Sequence, residues 1–270
     1  MIIKSLELAD FRNYEHLEIS FDKGTNILYG DNAQGKTNIL EAIYVSATTK
    51  SHKGSKDKEM IRFEQDESHI RMMVKKDGVS HKIDMHLKKN KAKGIAIDGI
   101  PIRKAAELFG IVNLVAFSPE DLNIIKNGPA ERRHFLDSEI CQLSRLYMIE
   151  LANYNKVVAQ RNKLLKEISF SGRMADTLEI WDEQMVRYGT SIISERKKFI
   201  SRLNDILSEI HQNLTGGKEQ ILITYEPNVS EEAFSEELKD GRERDLRFGQ
   251  SYTGPHRDDF CVRINDIDIR

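Results

Sequence analysis

The sequence predicts an α/β fold in two lobes, the second carrying a long antiparallel helical hairpin. Three observations carry that prediction. Gly30-Asp31-Asn32-Ala33-Gln34-Gly35-Lys36-Thr37 fits the pattern G-x-x-x-x-G-K-T, set between an apolar stretch and a helical one. Residues 68–100 alternate apolar with polar, as the strands of a β-meander do. From about 130 to 214, apolar residues recur every three or four positions with one break near 170.

Taken in order, Ile2 to Leu8 and Leu17 to Phe21 read as strands, the second with Leu17, Ile19 and Phe21 inward. Thr25 to Tyr29 reads as a short buried strand feeding the octapeptide, and Asn38 to Ala47 as the helix leaving it. Glycines at 30 and 35 let the backbone bend so that successive N–H groups point at an anion. The helix beginning there adds its dipole and its unpaired N–H groups. In such a phosphate loop Lys36 places a compact charge near the β- and γ-phosphates of a nucleotide, and the Thr37 hydroxyl is the expected Mg²⁺ ligand. Arg12, in the loop Phe11 to Tyr14, reads on the residues alone as a solvated charge, with a reach to the nucleotide as the alternative. Lys50 to Lys58 reads as a solvated loop, with a DNA or phosphate contact as the alternative.

In the meander, Ile70, Met72 and Val74 alternate, Asp77-Gly78 signals a hairpin turn, and Ile83, Met85 and Leu87 return. Outward Lys82, Asp84, His86 and Lys88 hint at an anionic partner. A second turn at Asp98-Gly99, a short helix around Lys104 to Phe109 and a buried strand Ile111 to Phe117 complete the first lobe, residues 1–116. The second lobe, 117–270, opens at Ser118-Pro119-Glu120-Asp121, a helix start with serine as cap, proline first and acids in the first turn. An uninterrupted helical pattern then runs to Ile168 through Ile140, Leu143, Tyr147, Leu151, Tyr154, Val158 and Leu165, with Arg161 in the one gap. After a turn at Ser169 to Arg173 it restarts, passing Ile210 and Leu214, and stops at Gly216-Gly217. Two helices of about 40 residues, each roughly 60 Å long, are expected, with their aromatics in the seam. Gln220 to Glu226 reads as a strand and Glu231 to Leu246 as an acidic, solvated helix. Gly254-Pro255-His256-Arg257-Asp258-Asp259 reads as a turn with paired charges, since residues so close together do not converge on one metal ion. The chain then enters a hairpin at Asn265-Asp266 and ends at Arg270, the pattern of a C-terminally truncated piece.

A net charge of −2 provides no overall basic field, so any nucleic-acid contact comes from a local patch. Cys141 and Cys261 stand far apart without metal-ligand spacing, which fits a reducing compartment. No apolar run approaches the ~20 residues of a membrane span, and a soluble, cytoplasmic protein is expected.

Taken together, F-R-N-Y at 11–14, G-D-N-A-Q-G-K-T-N-I-L-E-A-I at 30–43, F-S-P-E-D-L at 117–122, R-R-H-F-L-D at 132–137 and G-P-H-R-D-D at 254–259 resemble one family, RecF, in the SMC-like branch of ABC-type ATPases. The resemblance implies an ABC-type ATPase head: a P-loop lobe with the meander, then a lobe bearing the hairpin. It implies ATP and Mg²⁺ as cofactors and, in the complete protein, an ATP-dependent homodimer. It also implies DNA, RecO and RecR as partners in loading a recombinase at gaps. Mapped here, Gly30, Asp31, Asn32, Ala33, Gln34, Gly35, Lys36, Thr37 and Asn38 hold the phosphates, with Lys36 the catalytic residue. Arg12 and Asn13 approach the nucleotide. Ser118 to Asp121 stand where related heads carry a glutamine-bearing sensor, and no glutamine is present. The family continues past Asp259 into a signature motif and an acidic strand end that this sequence lacks, so weak nucleotide binding without turnover is expected of it. A small-molecule kinase also uses G-x-x-x-x-G-K-T, but the hairpin at 130–214 favours the clamp-like head over it.

Overall fold

Strand β1 (Ile2–Phe11) pairs antiparallel with β2 (Tyr14–Ser20) on one side and with β3 (Glu67–Lys76) on the other. Strands β4 (Val79–Lys88), β5 (Gly94–Ile97) and β6 (Ile100–Pro101) extend the sheet in the order β2-β1-β3-β4-β5-β6. These come from a computed structural model that describes residues 1–104, 107–171 and 177–270. Register turns the alternation of the sequence into a core. Leu8 stands opposite Ile70 and Ile70 opposite Met85, while Leu6, Met72 and Ile83 form the next row. All six are buried. Helix α1 (Lys36–Thr48) covers this face with Ile39, Ala42, Ile43 and Val45, and a one-turn helix α2 (Asp57–Met60) adds Met60. Both hairpin turns have positive φ at their two central residues, Asp77 and Gly78, then Asp98 and Gly99, the backbone that matches the twist of paired strands.

Two expected strands do not form. Thr25 to Tyr29 has no strand partner among the described residues, and Ile27 and Tyr29 are exposed, Tyr29 to 91%. Asn26 instead ties a turn together, accepting from the Asp22 N–H at 2.9 Å and donating to the Asp22 and Gly24 carbonyls. Likewise Ile111 to Phe117 forms no strand among the described residues, with Val115 and Phe117 exposed although Val112 is buried. An apolar run makes a strand only where a neighbour takes its N–H and C=O groups. The helix expected at Lys104 to Phe109 falls partly outside the described residues; Glu107 N–H bonds the Lys104 carbonyl at 3.0 Å.

Contacts divide the chain into Met1–Ala116 and Phe117–Arg270. The second unit begins with a 3₁₀ turn, Pro119–Leu122, where the Asp121 carboxylate accepts the Ser118 N–H at 2.5 Å. Helix α3 (Asn123–Lys126) follows, then α4 (Pro129–Leu143), with Pro129 at its first position. Here the expected single helix to Ile168 breaks. Ser144 adopts extended backbone, and its Oγ accepts the Tyr147 N–H at 3.1 Å as the cap of α5 (Arg145–Ser171). Helix α6 (Leu178–Thr215) has 38 residues against 27 in α5, so the paired rods are unequal. Cross-links run antiparallel: Arg161 to Asp182, Glu150 to Ser191, and Tyr147 to Arg196. The seam holds Tyr147, Tyr154, Leu165 and Ile168, with Val157 rather than Val158 turned inward. Beyond the reach of α5, Ile210 and Leu214 are exposed instead of packed. Helix α5 continues through Ser171, so the turn expected from Ser169 starts later, and the rest of it lies outside the described residues.

Strands β7 (Ile221–Glu226), β8 (Asp259–Ile264) and β9 (Ile267–Asp268) form a small antiparallel sheet. The acidic segment forms two short helices, α7 (Phe234–Asp240) and α8 (Arg242–Phe248), broken at Gly241. It is no mere solvated face, since Phe234, Leu238 and Asp245 are buried.

Candidate nucleotide site

The octapeptide forms a loop on which α1 begins. Gly30 (φ 143°), Ala33 (φ 64°) and Gly35 (φ 97°) turn the backbone, and Gly35 caps α1. Its carbonyl accepts the N–H of Asn38 at 2.8 Å and of Ile39 at 3.2 Å. No acid stands in the first turn and no side chain caps it, so the positive end of the helix dipole is left uncompensated by α1 itself. Lys36 folds back over the loop, its Nζ donating to the carbonyls of Gly30 at 2.6 Å and Asp31 at 2.5 Å. Thr37 is exposed in the same turn.

The turn between β1 and β2 supports this loop. A Cβ on Gly35 would lie 2.7 Å from both the Asn13 Oδ1 and the Tyr14 hydroxyl, closer than real contacts allow. Asn38 Nδ2 donates to Asn13 Oδ1 at 2.9 Å, and the Tyr14 hydroxyl donates to the Gln34 carbonyl at 3.3 Å. Burial raises the Tyr14 pKa, which keeps that hydroxyl a donor.

Arg12 is placed differently from Asn13. Its Nε and Nη2 grip Glu41 of α1 at 2.8 and 2.6 Å, and it also donates to Ser55 Oγ and the Glu59 carbonyl, both at 2.6 Å. The expected approach of Arg12 to the nucleotide therefore meets a guanidinium already committed to protein groups. Burial pushes the Glu41 carboxyl upward, but hydrogen bonds from Arg12 and Ser51 and the charges of Arg12 and Lys53 outweigh it and hold its pKa below the ordinary value. This network folds the 50–58 loop onto α1: Ser51 Oγ donates to Glu41 at 2.5 Å, and Lys53 lies 3.8 Å from it. Glu41 was legible only as a lone charge among apolar helix positions. The outward meander residues are paired as well: Arg71 bridges Asp84 and Glu7, Lys82 meets Asp84, and Lys88 meets Glu67.

In the second unit the two later motifs meet each other. Arg132 forms a fork on Asp259 at 2.6 and 3.0 Å, and Arg133 donates to the Asp258 carbonyl at 2.8 Å. Between them Arg196, which the sequence alone did not single out, bonds Asp137 at 2.8 Å, Asp258 at 2.9 Å and the Pro255 carbonyl at 2.7 Å. His256 accepts from the Tyr154 hydroxyl at 2.7 Å and donates to the Ser251 carbonyl at 3.1 Å. Burial drives its pKa down to about 4. This is the expected turn of paired charges.

A phosphate loop opening a helix beside an antiparallel sheet, with a second unit bearing a helical hairpin, defines an ABC-type ATPase head of the kind found in SMC proteins. Comparison with an Smc head bound to the C-terminal winged-helix domain of ScpA agrees on fold, with a TM-score of 0.50 over 87% of this chain and 65% of that one at 16% identity. The model of the AAA domain family matches residues 5–245. The DNA replication and repair protein RecF of Agathobacter rectalis is 58% identical over 270 residues, covering all of this chain and 75% of that protein. RecF of Clostridium acetobutylicum is 46% identical with the same coverage. A solved structure described as the recombination mediator protein RecF-ATP in the RecFOR pathway superposes with a TM-score of 0.94 at 34% identity, covering 99% of this chain and 74% of that one. The chain belongs to the RecF family of DNA replication and repair proteins. Membership sets the kinase alternative aside. No helix among the described residues is long and apolar enough to cross a membrane.

Proposed function

We propose that the chain is the ATP-binding head of a DNA-repair clamp, in which nucleotide binding drives two heads together on DNA. The observation that carries this reading is the Lys36 ammonium resting on two loop carbonyls at the mouth of an uncompensated helix N-terminus. Triphosphate oxygens are stronger acceptors than those carbonyls, so Lys36 exchanges them for the β- and γ-phosphates. Backbone N–H groups of Gly30 to Thr37 cradle the anion, and Asn38, held by Asn13, borders it. The donor set fits a nucleotide-bound Mg²⁺, which takes one or two protein oxygens and keeps its waters; Thr37 offers the hydroxyl. That ion, when bound, neutralises charge on the phosphates. Arg12 supports the site through Glu41, fixing the first turns of α1 against the Phe11 to Tyr14 turn.

A relative of 34% identity is described as RecF-ATP in the RecFOR pathway, which supports ATP as the nucleotide and RecO and RecR as partners in mediating recombination. DNA contact by such a head is dominated by phosphates, so affinity falls steeply with salt. The test is titration of the chain with a fluorescent ATP analogue and Mg²⁺, followed by gapped-duplex binding with and without ATP. The reading requires Lys36→Ala to weaken the analogue at least ~10-fold, about 1.4 kcal/mol, and to remove the ATP response on DNA. Equal binding by the variant would sink it.

A further inference from the structure

On the solvent face of the six-stranded sheet, opposite α1, the register aligns three histidines in one cross-strand row. His16 pairs with Ala9, Ala9 with His69, His69 with His86, and His86 with Gly94. The small residues Ala9, Gly94 and Ala96 leave a hollow of about 450 Å³ beneath these rings. Glu67, two residues before His69 on β3, shares its face, and its Oε2 lies 2.6 Å from His86 Nε2. The His69 and His86 rings stack at 3.9 Å between centroids, tilted by 24°.

We propose that Glu67, His69 and His86 form a transition-metal site that takes Zn²⁺ in preference to Mg²⁺. One ligand atom from each residue already lies within 4.8 Å of the other two. Small side-chain rotations gather such a set around an ion with bonds of about 2.0–2.2 Å. Two imidazole nitrogens and one carboxylate suit zinc, whereas Mg²⁺ prefers oxygen ligands in an octahedron. Neighbouring β-strands fix the three positions, and a three-ligand set leaves a further coordination position for water from the hollow. Nearby Arg71 is spent on Asp84 and Glu7 at 2.7 and 3.0 Å, which leaves Lys88, 3.4 Å from Glu67, as the cation to be displaced. Metal entry takes the place of the His86–Glu67 hydrogen bond, His86 offering Nε2 as a lone pair with the ring hydrogen on Nδ1. The site is separate from the phosphate loop, and its bond across β3 and β4 braces the sheet.

The experiment is Zn²⁺ titration of the 270-residue chain, free of any histidine tag, in competition with a chromophoric chelator and in the presence of excess Mg²⁺. One equivalent is expected. His69→Ala and His86→Ala should each weaken it by about 10-fold or more, while the double change Cys141→Ser, Cys261→Ser leaves it unaltered. Circular dichroism checks that the variants fold. Co²⁺ bound to the chain should show visible bands of low-symmetry coordination that vanish in His86→Ala. Stoichiometry unaffected by the histidine variants, or zinc held no tighter than magnesium, overturns the proposal.

Discussion

Arg196 and Asp258 meet at 2.9 Å inside the second unit, their side chains 2% and 0% exposed. Asp258 also accepts from the Tyr225 hydroxyl and the Asn228 N–H, and Arg196 reaches Asp137 and the Pro255 carbonyl. The pair thus locks α6 to the start of β8 and to α4. Arg196→Met should cost about 3–5 kcal/mol, because it strands a buried carboxylate. Arg196→Lys should recover little, since one ammonium does not reproduce a fork shared among four partners. Urea unfolding measures both, with Lys198→Ala on the surface of α6 as the near-neutral reference.

His256 makes the second unit sensitive to acid. Its folded pKa of about 4 lies below the ordinary histidine value near 6.5, because burial disfavours the imidazolium. The unfolded chain therefore binds the proton more readily between those two values. Stability is full above about pH 6.5 and is lost as pH falls toward 4, by up to about 3 kcal/mol. NMR titration should find the His256 ring neutral at pH 5.5. A His256 resonance titrating near 6.5 would contradict the burial argument.

What the sequence disclosed was local. The inward sets Ile70, Met72, Val74 and Ile83, Met85, Leu87 followed from period-two alternation, and the turns at Asp77-Gly78 and Asp98-Gly99 from residues tolerant of positive φ, whereas the register that sets Leu8 against Ile70 did not. The hairpin followed from three-and-four spacing, and Arg161 was visible as a gap in the seam. Its partners were not: Asp182, Asp245 and Ser251 lie 21, 84 and 90 residues away in sequence. Nothing in a one-dimensional pattern announces such a pairing. The break at Ser144 was hidden because the apolar spacing runs through it, while the interruption depends on a serine side chain capping the next helix. In the phosphate loop the anion-binding pattern was legible, but the commitment of Arg12 to Glu41 depends on how the turn before β2 folds onto α1.

That commitment can be measured. Glu41 has a lowered pKa, which adds stability above the unfolded carboxylate range near 4.3–4.5 and loses it as pH falls through the folded value. Glu41→Gln should therefore flatten the acid limb of a stability–pH curve below about pH 4.5, measured by denaturant midpoints. Arg12→Ala should leave Glu41 buried without its fork and cost about 3 kcal/mol or more. If Arg12 acts by bracing, Glu41→Gln must weaken nucleotide binding in the same direction as Arg12→Ala. Intact affinity in Glu41→Gln alongside its loss in Arg12→Ala would assign Arg12 a direct contact instead.

Two loop positions, one residue apart, separate strain from function. Ala33 holds φ 64°, a left-handed backbone that costs a side-chain-bearing residue roughly 1–2 kcal/mol. Ala33→Gly relieves that strain in the folded loop, while the added freedom of the unfolded chain takes back about 0.4–1 kcal/mol. A small net change in the unfolding midpoint is expected, with the loop shape retained. Gly35→Ala does the opposite: its new methyl meets Asn13 and Tyr14 at 2.7 Å on a backbone of φ 97°. The loop must move away from the turn that supports it, and Asn38 loses its place against Asn13. Nucleotide affinity should fall by at least ~10-fold, and trimming Tyr14 to Phe in the Gly35→Ala background should restore little because Asn13 still collides. Calorimetric titration of the three variants reads this directly, and retained affinity in Gly35→Ala would mean that the Asn13–Tyr14 support does not shape the site.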